Sequence, residues 1–252
     1  MHRLLSWATT IAFLPVFGGI LLVFDVAQRV AYAFGQRPQE YVASALQWAL
    51  VRSLSICGAR VAIERSPQIE PRRPYLIVAN HQSMMDIPIL GSIFFTNFPK
   101  YVSKVSLARG FPSVSYNLRH GGHVLIDRAD GATAREAIRS LGRRVRAGDC
   151  SAMIFPEGTR ARRGELGPFK AGGTLALLEE APETPVVPVA IDESWRLLRH
   201  NYFPVPFGVQ VRVRVGAPIE RRPGEDRVAV LARTRDEIAA TLAEWRGTAT
   251  RA

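Results

Sequence analysis

The chain has 252 residues, with 33 Lys+Arg against 22 Asp+Glu and a formal net charge of +11. That length holds one large or two small domains with a sizeable core, and a composition 47% hydrophobic and 22% charged excludes a disordered tail. The two cysteines, Cys57 and Cys150, exclude a disulfide scaffold and an all-cysteine zinc site and make a reducing compartment the easier reading, while the arginine surplus calls for an anionic partner: nucleic acid, membrane or phosphorylated substrate.

Residues 7–24 form an eighteen-residue run without a charge, between Arg3 and Asp25. As a helix it is ~27 Å long, just short of a hydrocarbon core of ~30 Å. A secretory signal is the alternative, because Ala31-Tyr32-Ala33 resembles a cleavage site. The run exceeds the usual apolar core of roughly 7–15 residues, and Asp25 and Arg29 separate it from that site, so it reads as an uncleaved anchor. Pro15 and Gly18-Gly19 weaken a straight span. A second helix is predicted from about residue 40 to 57, with Leu46, Leu50, Leu54 and Cys57 on one face. Arg52 makes it a poor spanning segment. It is either an interfacial helix anchored by Tyr41 and Trp48 or a core helix of a soluble domain. Residues 1–60 are thus expected to be a membrane-associated two-helix segment, and 61–252 a separate domain.

From residue 71 the pattern changes. Short apolar runs at 75–79, 100–103, 123–127, 151–155, 186–191 and 209–215 alternate with helical patterns near 87–95, 132–147, 172–180 and 227–245. The last carries Val228, Leu231, Ile238, Leu242 and Trp245 at helical spacing, with Glu225 and Asp226 at its positive end. Strands separated by helices predict an α/β domain whose active residues sit in loops at strand ends.

The loop after the first of these strands reads Asn80-His81-Gln82-Ser83-Met84-Met85-Asp86, then Ile87-Pro88. On one continuous helix His81 and Asp86 would point ~140° apart. If the chain turns first and Asp86 begins a helix, with Pro88 in its first turn, the two can meet. A carboxylate on one imidazole nitrogen fixes the tautomer and raises the basicity of the other, as a general base requires. A helix cap at Asp86 beside an unrelated loop histidine is the plainer alternative for this pair alone. Further on, Gly122-His123-Val124-Leu125-Ile126-Asp127-Arg128 ends a strand in an acid–base pair, and Phe155-Pro156-Glu157-Gly158-Thr159-Arg160 ends another in a turn. Pro185-Val186-Val187-Pro188-Val189 is an apolar run broken twice by proline. Gly158 and Gly172-Gly173 allow close backbone approach, and Arg160 and Lys170 offer charge to a phosphate.

In order and spacing, the blocks NHQSMMD, GHVLIDR, FPEGTR and VVPVAI resemble those of the glycerophospholipid acyltransferases, over about residues 71–215. The resemblance is closest to the branch acting on 1-acyl-glycerol-3-phosphate, and the N-terminal helix pair is similar to that of bacterial members. It implies a mixed, largely parallel sheet flanked by helices. It implies acyl transfer from a thioester, acyl-CoA or acyl carrier protein, to the sn-2 hydroxyl of a lysophospholipid, without cofactor or metal. The catalytic pair falls on His81 and Asp86, and no acyl-enzyme is needed, so Ser83 and Cys150 need not be nucleophiles. The phosphate-binding arginine falls on Arg160, with Glu157, Gly158 and Thr159 in the same turn, Glu157 positioning loops or a substrate hydroxyl. Arg128 is a second phosphate candidate or a structural partner of Asp127, and Lys104 stands where relatives place a lysine-containing block. Ser106, Leu125 and Ala171 depart from the family pattern, the first of them weakening the assignment of Lys104. The blocks report the chemistry more than the acceptor, which leaves another lysolipid, such as a lyso-aminolipid, as the alternative. A catalytic domain facing the cytoplasm, on a cytoplasmic membrane, follows from where acyl thioesters are made.

The stretch 132–147 carries Arg135, Arg139, Arg143, Arg144 and Arg146 against Glu136 alone. It reads as a solvated outer helix, with anionic headgroups or an acidic acyl carrier as the alternatives. Nucleic acid is not expected, since no binding motif accompanies the charge. His123 and Asp127, four apart on one strand, would lie ~13 Å apart, too far to share a metal ion.

Overall fold

The computed structural model describes residues 2–127, 130–199 and 203–247. The helices are α1 His2–Tyr32, α2 Gln36–Ser53, α3 Asp86–Ile93, α4 Val114–His120, α5 Gly131–Arg146, α6 Ala171–Glu180 and α7 Arg227–Trp245. The strands are β1 Arg60–Arg65, β2 Leu76–Ala79, β3 Pro99–Lys104, β4 Val124–Ile126, β5 Ser151–Ile154, β6 Val186–Asp192 and β7 Gln210–Val215. They form one mixed sheet in the order β1-β7-β6-β2-β5-β3-β4, parallel throughout except for β6 against β7. This is the α/β architecture expected, with two elements added. β1 is a mostly exposed edge strand whose Arg60, Glu64 and Arg65 dilute its apolar signal; paired on one side only, it needs no apolar run. α4 is seven residues long and rich in polar side chains, too short to show a helical period.

The sheet is buried on both faces, and strand periodicity divides its side chains between two layers. Leu76 and Val78 of β2 pack with Ile138, Leu141, Leu177 and Leu178 of α5 and α6. Ile77 and Ala79 point the other way, toward Ile89 and Leu90 of α3 and toward Leu54 and Cys57. All seven residues of β6 are buried. Fully burying each of its valines and Ile191 contributes about 1.5–3 kcal/mol, which holds the strand end in fixed register.

α1 runs unbroken through Pro15 for ~46 Å. Polar side chains tie it down at both ends. The Thr10 hydroxyl accepts the Val205 N–H (3.0 Å) and the Ser6 hydroxyl the Phe207 N–H (3.0 Å), while Asp25 accepts the Ser113 N–H (2.6 Å) and the Gln28 amide donates to the Ser113 hydroxyl (2.5 Å). Phe13 between them is buried; Leu4, Ile11, Val16, Leu22, Val23, Val26 and Val30 are exposed. Among the described residues this is the one helix long and apolar enough to cross a membrane. In α2 and the 3-10 turn after it, Leu46, Leu50, Leu54 and Cys57 are buried within the protein, whereas Tyr41 and Trp48 stand exposed.

Candidate active site

The parallel strands end on the same side of the sheet, so the loops after β2, β5 and β6 converge there. After β2 the chain turns at Met84-Met85 and enters α3 at Asp86, with Pro88 in the first turn. The turn brings His81 Nδ1 to 2.8 Å from Asp86 Oδ2. The same oxygen accepts the N–H groups of Gln82 (2.7 Å) and Ser83 (2.8 Å), and Oδ1 accepts the Ser194 hydroxyl (2.5 Å). Asp86 is fully buried, and its charge is met by these donors and by the positive end of α3. A carboxylate so placed keeps the imidazole proton on Nδ1 and leaves a lone pair on Nε2. Nε2 makes no hydrogen bond among the described residues. The His81 ring stacks on Phe155 (centroids 4.2 Å apart) and its side chain stays 15% exposed.

The loop after β5 is fastened to the same backbone. Glu157 Oε1 accepts the His81 N–H (2.7 Å) and Oε2 the Gly167 N–H (2.9 Å). A Cβ at residue 167 would lie 2.7 Å from Oε2, so any larger residue there would have to push the carboxylate aside. Glu157 is buried, and burial pushes its carboxyl above the usual carboxylate range against the pull of its two N–H donors. Of the two roles expected for Glu157, the geometry is that of loop positioning. Gly158 turns the chain with φ +67°, beneath the Lys170 side chain. Thr159 and Arg160 are exposed beyond it, and the Ala161 N–H donates to the His81 carbonyl (2.7 Å), which sets Arg160 beside the imidazole loop. Arg160 forms no ion pair among the described residues.

A model of the family described as Acyltransferase matches residues 60–192, 133 of the 252. The chain belongs to the acyltransferase family. It is similar to a 1-acyl-sn-glycerol-3-phosphate acyltransferase of Limnanthes douglasii, 31% identical over 162 residues, covering 62% of this chain and 54% of the relative. It is also similar to one from Saccharomyces cerevisiae, 30% identical over 177 residues, with 69% and 57% covered. The chain thus spans about half the length of these relatives. Among solved structures, the 1-acyl-sn-glycerophosphate acyltransferase of Thermotoga maritima superposes with a TM-score of 0.74 at 21% identity, covering 96% of this chain and 98% of that one. That likeness establishes a common fold.

Other positions that the acyltransferase blocks brought forward are spread along the sheet. Lys104 is exposed at the end of β3, opposite Ile126 and separated from β2 by β5. Arg128 lies outside the described residues. His123 is turned inward, its Nδ1 accepting the Tyr101 N–H (3.1 Å), and His120 packs against Tyr32 and Tyr116. Among the described residues no three His, Cys, Asp or Glu are grouped to hold a metal ion. Cys57 and Cys150 are free and buried, and burial pushes both thiols up, away from the reactive thiolate. On α5, Arg139 pairs with Glu179 and Glu180 and Arg143 with Glu136, so two of the five arginines are neutralised, while Arg144 donates to the uncharged Gly122 carbonyl.

Two residues of the site carry weak or no signal in the sequence. The Asn80 side chain exchanges hydrogen bonds with the Ile191 backbone (2.8 and 2.7 Å), pinning the histidine loop to the end of β6. Ser194 reaches Asp86 across 108 positions of sequence, a separation that no local pattern could reveal.

Proposed function

We propose that this chain transfers an acyl group from an acyl thioester to the sn-2 hydroxyl of 1-acyl-sn-glycerol-3-phosphate, forming phosphatidic acid at a membrane surface. The observation that carries the reading is the 2.8 Å His81–Asp86 contact, with Nε2 of the imidazole making no hydrogen bond among the described residues. The names of the relatives from Limnanthes douglasii and Saccharomyces cerevisiae point to the substrate class.

In this reading Nε2 takes the proton of the lysolipid hydroxyl as its oxygen attacks the thioester carbon. Asp86 holds the ring and stabilises the imidazolium. As the tetrahedral intermediate collapses the C–S bond breaks, and the departing thiolate of coenzyme A or acyl carrier protein takes the proton back from His81. No covalent enzyme intermediate is required, in keeping with the buried thiols. Arg160, exposed and unpaired, receives the acceptor phosphate, while Lys104 and Arg128 are further contacts for the anionic substrates. The exposed apolar face of α1, with Tyr41 and Trp48 of α2, rests in the bilayer interface. The helix tethers at Val205 and Ser113 hold α1 along the domain, which favours a monotopic arrangement, and the thioester donor places the catalytic domain on the cytoplasmic side.

The test is steady-state acyl transfer by purified chain in mixed vesicles. His81→Ala is expected to lower kcat by about 10²- to 10⁴-fold while leaving the melting temperature near wild type. Turnover close to wild type in that variant would remove the base assignment. Arg160→Ala is expected to raise KM for the phosphorylated acceptor and to leave an uncharged monoacylglycerol unaffected. A panel of lysolipids then identifies the acceptor, a lyso-aminolipid preferred over lysophosphatidic acid being the result that overturns the substrate named here.

A further inference from the structure

The Asp86 carboxylate is positioned from outside its own loop by one hydroxyl, and the segment delivering that hydroxyl is unusual. β6 ends at Asp192. Glu193 then adopts a left-handed conformation, φ 69° and ψ −3°, which a non-glycine residue enters only at a steric cost. The bend turns Ser194 inward, fully buried, with its hydroxyl 2.5 Å from Asp86 Oδ1.

Asp192 holds the bend. It is 1% exposed, and its Oδ1 accepts the Glu193 N–H at 3.0 Å. A buried carboxylate needs counter-charge, and two arginines supply it: Arg212 of β7 approaches Oδ2 at 3.6 Å, and Arg246 makes the hydrogen bonds. Arg246, the residue after α7, donates to Asp192 Oδ1 at 2.6 Å and Oδ2 at 3.2 Å, and to the Gly164 carbonyl at 2.7 Å. The Gln82 side chain touches the same two acceptors at 3.3 and 3.4 Å, and its backbone N–H donates to Asp86. The end of α7 is itself fixed, its Trp245 ring lying between the guanidinium groups of Arg212 and Arg214 at 5.3 and 5.2 Å. The Arg246 guanidinium thus joins the end of β6 to the loop carrying Arg160, and Gln82 of the loop carrying His81 shares both acceptors. Ser194 and Arg246 both fall beyond the segment matched by the family model.

We propose that Ser194 and Arg246 are positioning residues for acyl transfer: Arg246 clamps Asp192, the clamped bend presents the Ser194 hydroxyl to Asp86, and Asp86 orients His81. The proposal rests on His81 acting as the base. Neither residue touches substrate, so their loss acts on turnover and not on binding.

The full chain, in the same vesicle assay, is compared as Ser194→Ala, Ser194→Thr, Arg246→Gln and the Ser194→Ala/Arg246→Gln double variant, with His81→Ala in parallel. Ser194→Ala and Arg246→Gln are each expected to lower kcat about tenfold, the scale of one hydrogen bond to a charged group. KM for both substrates is expected to stay within about twofold, and Ser194→Thr, which keeps the hydroxyl, within about threefold of wild-type kcat. The double variant is expected to lose no more than about twofold beyond the worse single one, because both losses act through Asp86. Wild-type kcat in either single variant, a loss confined to KM, or a multiplicative loss of about a hundredfold in the double variant overturns the proposal. Arg246, a third exposed, decides the question alone if Ser194→Ala does not fold. If His81→Ala is active, the base reading falls and takes this proposal with it; if His81→Ala is inactive and the other variants behave as wild type, this proposal alone falls.

Discussion

At opposite ends of the sheet the chain packs a histidine against an aromatic ring beside buried charged groups, and the two settings differ in charge and in valence. His81, after β2, stacks on Phe155 and faces the Asp86 carboxylate. His123, ahead of β4, stacks on Tyr101 and faces cations: burial, Lys100 and Arg144 together hold its pKa well below the ordinary histidine range. Near it Lys100 is paired with Glu40, which also takes the side chains of Gln36 (2.7 Å) and Arg37 (2.9 Å), while Lys100 spends a second hydrogen bond on the Gly121 carbonyl (2.7 Å). Burial pulls the Lys100 ammonium down and the Glu40 carboxylate opposes it. That cluster is closed: each charged group has its partner, and the product is attachment of α2 to β3. The His81 cluster saturates its carboxylate and leaves one imidazole nitrogen with nothing to bind. An open valence on an oriented base separates a site that can react from one that can only hold.

Asp86→Asn breaks the comparison at its strongest point. The amide places an N–H donor against the donors that Asp86 accepts and removes the charge that fixes the histidine tautomer. Acyl transfer is expected to fall by about 10²- to 10⁴-fold, measured as kcat in the vesicle assay. The other cluster responds in the opposite currency. Lys100→Met takes the buried cation from Glu40, leaving only the half-exposed Arg37 to face the carboxylate, and is expected to cost up to about 3–5 kcal/mol in urea unfolding, with specific activity of the folded fraction retained. The Lys100→Met/Glu40→Leu double variant removes both charges and is expected to recover most of that loss. A double variant no better than the single one would mean that the pair itself, and not the stranded charge, holds α2 in place.

How much of this was legible in the sequence follows from how local each signal is. Six strands and the helices α3, α5, α6 and α7 announce themselves by period, because strands buried on both faces must be continuously apolar and amphipathic helices must repeat. The His81–Asp86 pairing was legible as a possibility, since five residues with a turn and Pro88 allow a helix to begin at Asp86; the turn itself is set by the N–H groups of Gln82 and Ser83, which every residue possesses and no sequence pattern marks. β1 was hidden by the freedom of an edge strand. Ser194, Asn80 and the Glu157–Gly167 contact were hidden for another reason: they bridge loops that only the strand order brings together. The arginines of α5 read as one basic face because the acidic partners Glu179 and Glu180 lie on a different helix.

His123 offers the finest test, because it compares the two histidines directly. Its pKa in the fold is depressed, whereas in the unfolded chain it is about 6.5. Between those two values the unfolded state binds a proton that the folded state refuses, so stability falls as the pH is lowered through 6.5 and continues to fall until the folded group titrates. From pH 7 to pH 5 this group alone removes up to about 2 kcal/mol. His123→Asn keeps an acceptor for the Tyr101 N–H and removes the titration. Urea midpoints for the two proteins at pH 7 and pH 5 measure the difference: the variant is expected to lose less stability on acidification than wild type, by that amount. Equal losses would mean that His123 accepts its proton within the fold, and the closed cluster would then hold a titrating group as freely as the open one.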